Sequence, residues 1–306
     1  MDEAAIQKVA VIGFGTVGVG WTALFVANGC DVTVHDPAAG SLADMQAALA
    51  TSLASLRELG RDQLGTLAVA ASPEEAAAAA DFVQENAPER LDFKRDLLRR
   101  LDGAAPAHAI IATSTSSLLW SDLARDCAQP GRVIVGHPFN PPHIMPLVEL
   151  FGPDAAVLDR ATAFYTQLGM RPVRLRKEMQ GHIANRLASA LYREAVYLVE
   201  QGVASVGEVD AALRDGPGLR WAIMGAHLTY HLGGGKGGIR HYLEHLGPSQ
   251  ERRWQDLGQP VLSPELKEKL VEGVEAVADG RSVEELEAER DAALLALLRA
   301  RADVTP

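Results

Sequence analysis

The pattern of apolar and polar positions divides the chain in two. From Lys8 to Leu175, short apolar runs alternate with longer segments that are rich in apolar residues. Short runs bounded by turn residues read as buried strands, and longer segments with an apolar repeat of three to four as helices. Strands are predicted over 8–12, 31–35, 67–70, 81–84, 109–112, 133–135, 147–148 and 172–175. Helices are predicted between them: an amphipathic one through Trp21, Leu24, Phe25 and Ala27, others over 42–60 and 73–80, and one carrying Phe93, Leu97, Leu98 and Leu101. Strands alternating with helices predict an α/β fold of the Rossmann type, a doubly wound and mostly parallel sheet. From Met179 onward the strand signal stops. A long helix opens at Gly181–Arg186 and runs through Leu187, Leu191, Val196 and Val199 to Gly202. Further helix signals lie around 206–214, 219–232, 239–246, 264–278 and 283–301. The expected organisation is a nucleotide-binding domain over 1–178 and an all-helical domain over 179–306, whose apolar surface suits a homodimer interface.

Composition narrows this. At 306 residues and 47% hydrophobic content the chain can bury two cores. A formal charge of −11 argues against nucleic acid or an anionic membrane as partner, because both need a basic surface. It argues only weakly against a phosphate-bearing small molecule, which needs one local positive site. Cys30 and Cys127 allow neither a disulfide framework nor a C-x-x-C site, which fits a reducing cytosol. The start, Met1-Asp2-Glu3, is acidic, with no basic-then-apolar leader and no apolar stretch of about 20 residues, so a cytoplasmic protein is expected.

The first candidate chemistry lies after the first strand, where Gly13-Phe14-Gly15-Thr16-Val17-Gly18 spells G-x-G-x-x-G and opens a helix. A second strand then ends in Asp36. In that setting the glycines form a dinucleotide fingerprint: Gly13 for the tight turn, Gly15 for close approach of the pyrophosphate, Gly18 for helix–strand packing. The helix N-terminus supplies N–H groups and a positive dipole. Asp36 suits both ribose hydroxyls and would repel a 2′-phosphate, so NAD is favoured over NADP. The other candidate cofactor contacts are Thr16, Val17, Glu85, Lys94 and Ser114.

The second chemistry lies in the segment from His137 to Glu149. His137 ends an apolar run, Pro138, Pro141, Pro142 and Pro146 stiffen the connection after it, and Leu147-Val148 delivers Glu149. Such a segment can hold an imidazole and a carboxylate in fixed geometry, which is how a tuned general base is built. It equally suits a buried histidine in a stiff turn with an unrelated glutamate. A hydroxyl cluster, Thr113 to Ser117, sits at a strand's C-terminal end, where open α/β sheets bind ligands. A helix cap near Leu118 would explain one of these hydroxyls.

Two motifs resemble other chemistry. His241-Tyr242-Leu243-Glu244-His245 has a zinc-peptidase spelling, with two histidines on one helical face. It lacks an evident third ligand, and a solvated helix face is expected; His227 and His231 repeat the spacing. No metal is expected. Gly233 to Gly238 resembles a phosphate loop but has no Ser or Thr after Lys236, and reads as a helix-to-helix connection.

The fingerprint, Ser-Thr-Ser-Ser-Leu (114–118), His-Pro-Phe-Asn-Pro-Pro (137–142), Pro-Leu-Val-Glu (146–149) and Gly-His-Ile-Ala-Asn-Arg (181–186) occur in this order. Together they resemble the L-3-hydroxyacyl-CoA dehydrogenase superfamily over nearly the whole chain. The resemblance implies an NAD-binding domain followed by a helical dimerisation domain. It implies His137 as the catalytic base, Glu149 as its orienting carboxylate, and Ser116 and Asn185 as groups that polarise the substrate. The expected reaction interconverts an L-3-hydroxy compound and its 3-oxo form. Ser114 stands where the family often has Asn. A basic, Gly-rich segment usual in the CoA-thioester branch is missing. Instead 216–222 resembles the branch acting on small free acids, that of the carnitine dehydrogenases, with the gulonate dehydrogenases (lambda-crystallin) more distant. There Arg220 could pair with a carboxylate, and Trp221, Tyr230 or Trp254 could face a quaternary ammonium. A short-chain 3-hydroxyacyl-CoA dehydrogenase and a ketoreductase of bulkier 3-oxo acyl or polyketide substrates are the alternatives. A non-catalytic NAD-binding protein, a zinc hydrolase and a dehydrogenase with a lysine base are further classes. Retention of His137, Glu149, Ser116 and Asn185 together disfavours the first of these.

Overall fold

The computed structural model describes residues 6–38 and 40–302, and the chain divides into two compact units, 1–185 and 186–306. Met1-Asp2-Glu3, Ala39 and the last four residues lie outside the described set.

The first unit alternates strand and helix: β1 (Lys8–Ile12), α1 (Thr16–Ala27), β2 (Asp31–His35), α2 (Leu42–Glu58), β3 (Leu67–Val69), α3 (Pro73–Ala77), β4 (Phe82–Glu85), α4 (Leu91–Ala104), β5 (Ile110–Thr113), α5 (Trp120–Leu123), β6 (Val133–Pro138), β7 (Leu147–Phe151), α6 (Ala155–Gln167) and β8 (Arg171–Arg174). The strands form one sheet in the order β3-β2-β1-β4-β5-β6-β7-β8. Its pairings are parallel except β6 with β7. The sheet is thus the Rossmann-type, mostly parallel one that the alternation predicts. Strand order reverses between β1 and β4, and this is where such sheets open a crevice beyond the carboxyl ends of their strands.

Every residue of β4, β5 and β6 is buried, because helices cover both faces of a parallel sheet. Helix α1 differs from its predicted amphipathic form. It is buried around its circumference from Gly20 to Ala27. Trp21 stacks on Phe25 with centroids 5.4 Å apart and leans on Tyr165 of α6, also at 5.4 Å, while Phe25 stacks on Phe164. Helix α4 turns a different face inward from the one Phe93 suggests. Phe93 is 47% exposed and Lys94 only 1%. Glu85, at the end of β4, is the cause, since Lys94 Nζ donates to both its carboxylate oxygens, at 2.8 and 2.9 Å.

The second unit continues α7 (Ala184–Glu200) and adds α8 (Val206–Leu213), α9 (Leu219–Trp221), α10 (Ala226–Gly233), α11 (Gly238–His245), α12 (Gly247–Asp256), α13 (Pro264–Ala278) and α14 (Val283–Ala302). The predicted helix over 219–232 is broken between Trp221 and Ala226, where Gly225 caps the second piece. Helix α12 had no sequence signal: Trp254 is its one large apolar side chain, so no repeat exists to be read. Ser205 and Ser263 cap α8 and α13 through their hydroxyls. Among the described residues no helix is long and apolar enough to cross a membrane.

Candidate active site

The loop after β1 has the shape a dinucleotide needs. Gly13 has φ +92°, and a Cβ there would lie 2.9 Å from the Asn86 carbonyl that follows β4. A Cβ on Gly18 would lie 2.0 Å from the Gly13 oxygen. Around Gly15 a Cβ would meet nothing within 4 Å, so the loop is open at that point. Gly15 is the N-cap of α1 and offers no side-chain cap, which leaves the first-turn N–H groups of Thr16, Val17 and Gly18 for an anion. Asp36 follows β2 and accepts from the Phe14 N–H at 2.6 Å and the Ala38 N–H at 2.7 Å. An open glycine, an uncapped helix end and a carboxylate at the end of β2 fit a pyrophosphate and its adjoining ribose.

The His–Glu pair is a product of strand register. His137 on β6 and Glu149 on β7 are directly opposed across the antiparallel pair. Opposed residues point to the same face with Cβ atoms about 5 Å apart, so the hairpin itself brings the side chains together. His137 Nδ1 lies 3.0 Å from Glu149 Oε2. A carboxylate only accepts, so Nδ1 carries the proton and Nε2 is the bare nitrogen. Glu149 Oε1 accepts from the Ile183 N–H at 2.8 Å and the Ala184 N–H at 3.0 Å. Burial pushes the Glu149 carboxyl up, but these hydrogen bonds from His137, Ala184 and Ile183 outweigh it and leave it below the ordinary range.

A cavity of about 390 Å³ opens beside this pair, lined by Asn86, Glu89, Ser114, Ser116, His137 and Asn185 among others. Ser114 and Ser116 bring the hydroxyl cluster into its lining, and the anchor of that loop is a residue the sequence did not single out. Glu89 Oε1 accepts from Thr115 Oγ1 at 2.7 Å and from the Ser116 and Ser117 N–H groups at 2.9 and 3.0 Å. The Ser116 hydroxyl makes a longer contact with it, 3.3 Å. Burial raises the Glu89 carboxyl, but the Thr115 hydroxyl, the Lys94 ammonium and the loop N–H groups outweigh it, for a net depression. No spacing rule links Glu89 to a loop 26 residues away, which is why sequence reading passed over it.

Other predicted contacts take different places. Glu85 is fully buried, holds Lys94, and accepts from Thr113 Oγ1 at 2.5 Å and the Ala87 N–H at 2.6 Å. It reaches the cavity only through Lys94, which lines it. Ser114 lines the cavity too, but its hydroxyl accepts from Trp21 Nε1 and Gln84 Nε2 and donates to Asn86 Oδ1, at 3.1, 2.9 and 2.7 Å. That fills its hydrogen-bonding capacity. Arg220 and Trp221 belong to the second unit, where both are exposed. His241 and His245 are exposed on α11 with ring centroids 4.1 Å apart, and among the described residues no three metal-binding side chains gather. Gly233 to Gly238 joins α10 to α11 and folds on itself: a Cβ on Gly234 would lie 1.9 Å from the Gly238 oxygen.

Comparison with known proteins adds chemistry to this geometry. The family described as "3-hydroxyacyl-CoA dehydrogenase, NAD binding domain" matches residues 8–179, and "3-hydroxyacyl-CoA dehydrogenase, C-terminal domain" matches 181–276. L-carnitine dehydrogenase of Streptomyces griseus is 46% identical over 96% of this chain and 90% of its own length. L-carnitine dehydrogenase of Oceanobacillus iheyensis is 42% identical over 98% of this chain and all of its own. Among solved structures, 5-formyl-3-hydroxy-2-methylpyridine 4-carboxylic acid 5-dehydrogenase, an NAD-dependent dismutase, superposes with a TM-score of 0.83 at 26% identity, covering 97% of this chain and 99% of that one.

Proposed function

We propose, from the premise that the chain belongs to the 3-hydroxyacyl-CoA dehydrogenase family and is an NAD-dependent oxidoreductase of 3-hydroxy compounds, that its substrate is L-carnitine and its base His137. The observation that carries the role of His137 is the doubly anchored Glu149 carboxylate fixing Nδ1–H and leaving Nε2 bare beside the cavity. The carnitine assignment is supported by relatives of that name at 42–46% identity along nearly the full chain.

His137 Nε2 takes the proton of the C3 hydroxyl, and the carbon becomes a ketone. Glu149 keeps the imidazole in the right tautomer and stabilises the imidazolium that forms. Ser116 can exchange its long contact to Glu89 for the substrate oxygen, while its N–H keeps the loop anchored. Asn185 lines the cavity and supplies a second donor to an oxygen that gains charge. Gly13, Gly15, Thr16, Val17, Gly18 and Asp36 would hold NAD, which when bound would supply the acceptor for the hydride that leaves C3. Glu89 and Lys94 line the same cavity and are assigned to the cofactor side, with Glu85 and Ser114 holding their neighbours in place. In the second unit, Arg220 suits a carboxylate and Trp221 a quaternary ammonium by their chemistry.

The second unit also supports a homodimer. Leu187, Tyr192, Leu228, Leu232, Leu243 and Trp254 are each more than half exposed in the single chain, and a second copy would cover such apolar side chains. A cytoplasmic location suits the two buried free thiols, whose proton affinity burial pushes up to about 11 for Cys30 and about 12 for Cys127.

The test is NADH formation with L-carnitine, L-gulonate, L-3-hydroxybutyrate and 3-hydroxybutyryl-CoA offered separately. Turnover of L-carnitine above the others is expected. Turnover of the CoA ester alone would place the substrate in the thioester branch. Turnover of none, with NAD still bound in calorimetry, would favour a bulkier 3-oxo substrate.

A further inference from the structure

We propose that His182 is a positioning residue whose imidazole ties the loop carrying Ser116 to the His137–Glu149 pair, an inference that rests on His137 being the base. His182 is 3% exposed, and its ring centroid lies 4.9 Å from that of His137, tilted by 45°. Its Nε2 lies 2.9 Å from the Thr115 carbonyl oxygen. Thr115 is the neighbour of Ser116 and is itself fully buried. One side of the 115–117 loop is therefore held by Glu89 and the other by His182.

The backbone of the same residue serves the dyad. His182 has φ +51° and follows Gly181 at φ +76°, two left-handed residues in succession, and an L side chain rarely adopts that conformation. The turn aims the next two N–H groups, of Ile183 and Ala184, at Glu149. A single left-handed residue thus directs its side chain to the substrate-polarising loop and its chain direction to the orienting carboxylate.

The two imidazoles have opposite surroundings. His137 donates its Nδ1 proton to the Glu149 carboxylate. His182 donates its Nε2 proton to the Thr115 carbonyl. His137, Glu149 and Glu89 act on His182 electrostatically, and Glu178 lines a small pocket with it. Burial lowers the proton affinity of His182 most, and His137 adds to that, against the opposing pull of the Thr115 carbonyl and the Glu149 and Glu89 carboxylates. The neighbour that donates to a carbonyl leaves the catalytic proton to His137, the ring that faces a carboxylate.

The experiment compares His182→Phe, which keeps a ring and loses the hydrogen bond, with His182→Gln, whose amide nitrogen can reach where Nε2 does. With NAD and L-carnitine, kcat of His182→Phe should fall about ten- to a hundredfold, the size expected when reacting groups are misplaced by about 1 Å. KM should change little, and His182→Gln should recover most of the loss. An unchanged kcat in folded His182→Phe, or equal losses in both variants, would overturn the proposal. Nitrogen-15 imidazole spectra of the wild-type protein need neither substrate nor variant. They should show His182 neutral and protonated on Nε2 at about pH 7, and an imidazolium or an Nδ1–H form would overturn it as well. Failure of His137 as base gives a separate result, namely turnover that survives His137→Asn.

Discussion

Gly15 and Gly18 separate what a glycine does for a cofactor from what it does for a fold. The space beside Gly15 is open, and its φ of −73° suits any residue. Gly15→Ala should therefore leave the unfolding free energy of the cofactor-free protein within about 0.5 kcal/mol of wild type while NAD binding in calorimetry collapses. Gly18→Ala drives a methyl into the Gly13 carbonyl and should lower stability and binding together. Equal stability losses in the two variants would contradict the assignment of Gly15 to the pyrophosphate. Glu149 makes a pH prediction. Its folded-state proton affinity is depressed, so the folded protein binds fewer protons than the unfolded chain. The stabilisation is full above the ordinary glutamate value of about 4.3 and is lost as pH falls through the lowered folded value. The stability gap between wild type and Glu149→Gln in urea should shrink between about pH 5 and pH 3. The glycine loop and the His137–Glu149 contact are legible in sequence because one is local and the other lies across one hairpin; the Ile183 and Ala184 N–H groups that anchor Glu149 are not. Glu89 is not, because its partners are backbone N–H groups and hydroxyls on another strand's loop.

At the scale of elements, two connections assemble the site. The β6–β7 hairpin opposes His137 to Glu149, and the proline-rich spelling between them announces a stiff reversal without stating the register. The β4–α4 connection places Glu85 beneath Lys94, and there the apolar pattern misleads: Phe93 is the larger hydrophobe, but an ion pair decides which face turns inward. Lys94→Met leaves a buried carboxylate without its partner and should cost about 3–5 kcal/mol in denaturant unfolding. Adding Glu85→Gln should return part of that, whereas no recovery would mean that Lys94 stabilises through other contacts. Helix α12 shows the other limit of periodicity. A helix that is polar nearly all round carries no stripe, and only its neighbours in three dimensions reveal it.

For the molecule as a whole, alternating strands and helices up to Arg174 and helices alone thereafter are written in the sequence. The crevice at the reversal of strand order is not, because it depends on which strands become neighbours. The apolar surface of the second unit predicts assembly: light scattering should give twice the chain mass of 32.6 kDa. Charged substitutions at Leu228 and Leu232 should shift that mass toward a single chain, and a wild-type monomer would contradict the assignment of this surface to a second copy.

The central claim is that His137 removes the hydroxyl proton of L-carnitine. The most direct measurement is NADH formation with saturating NAD and L-carnitine, in wild type and in His137→Asn, with NAD affinity measured alongside. Wild-type turnover with a loss of at least about a hundredfold in the variant is expected for a general base, together with unchanged NAD binding. A His137→Asn protein that turns over L-carnitine at the wild-type rate would contradict the claim.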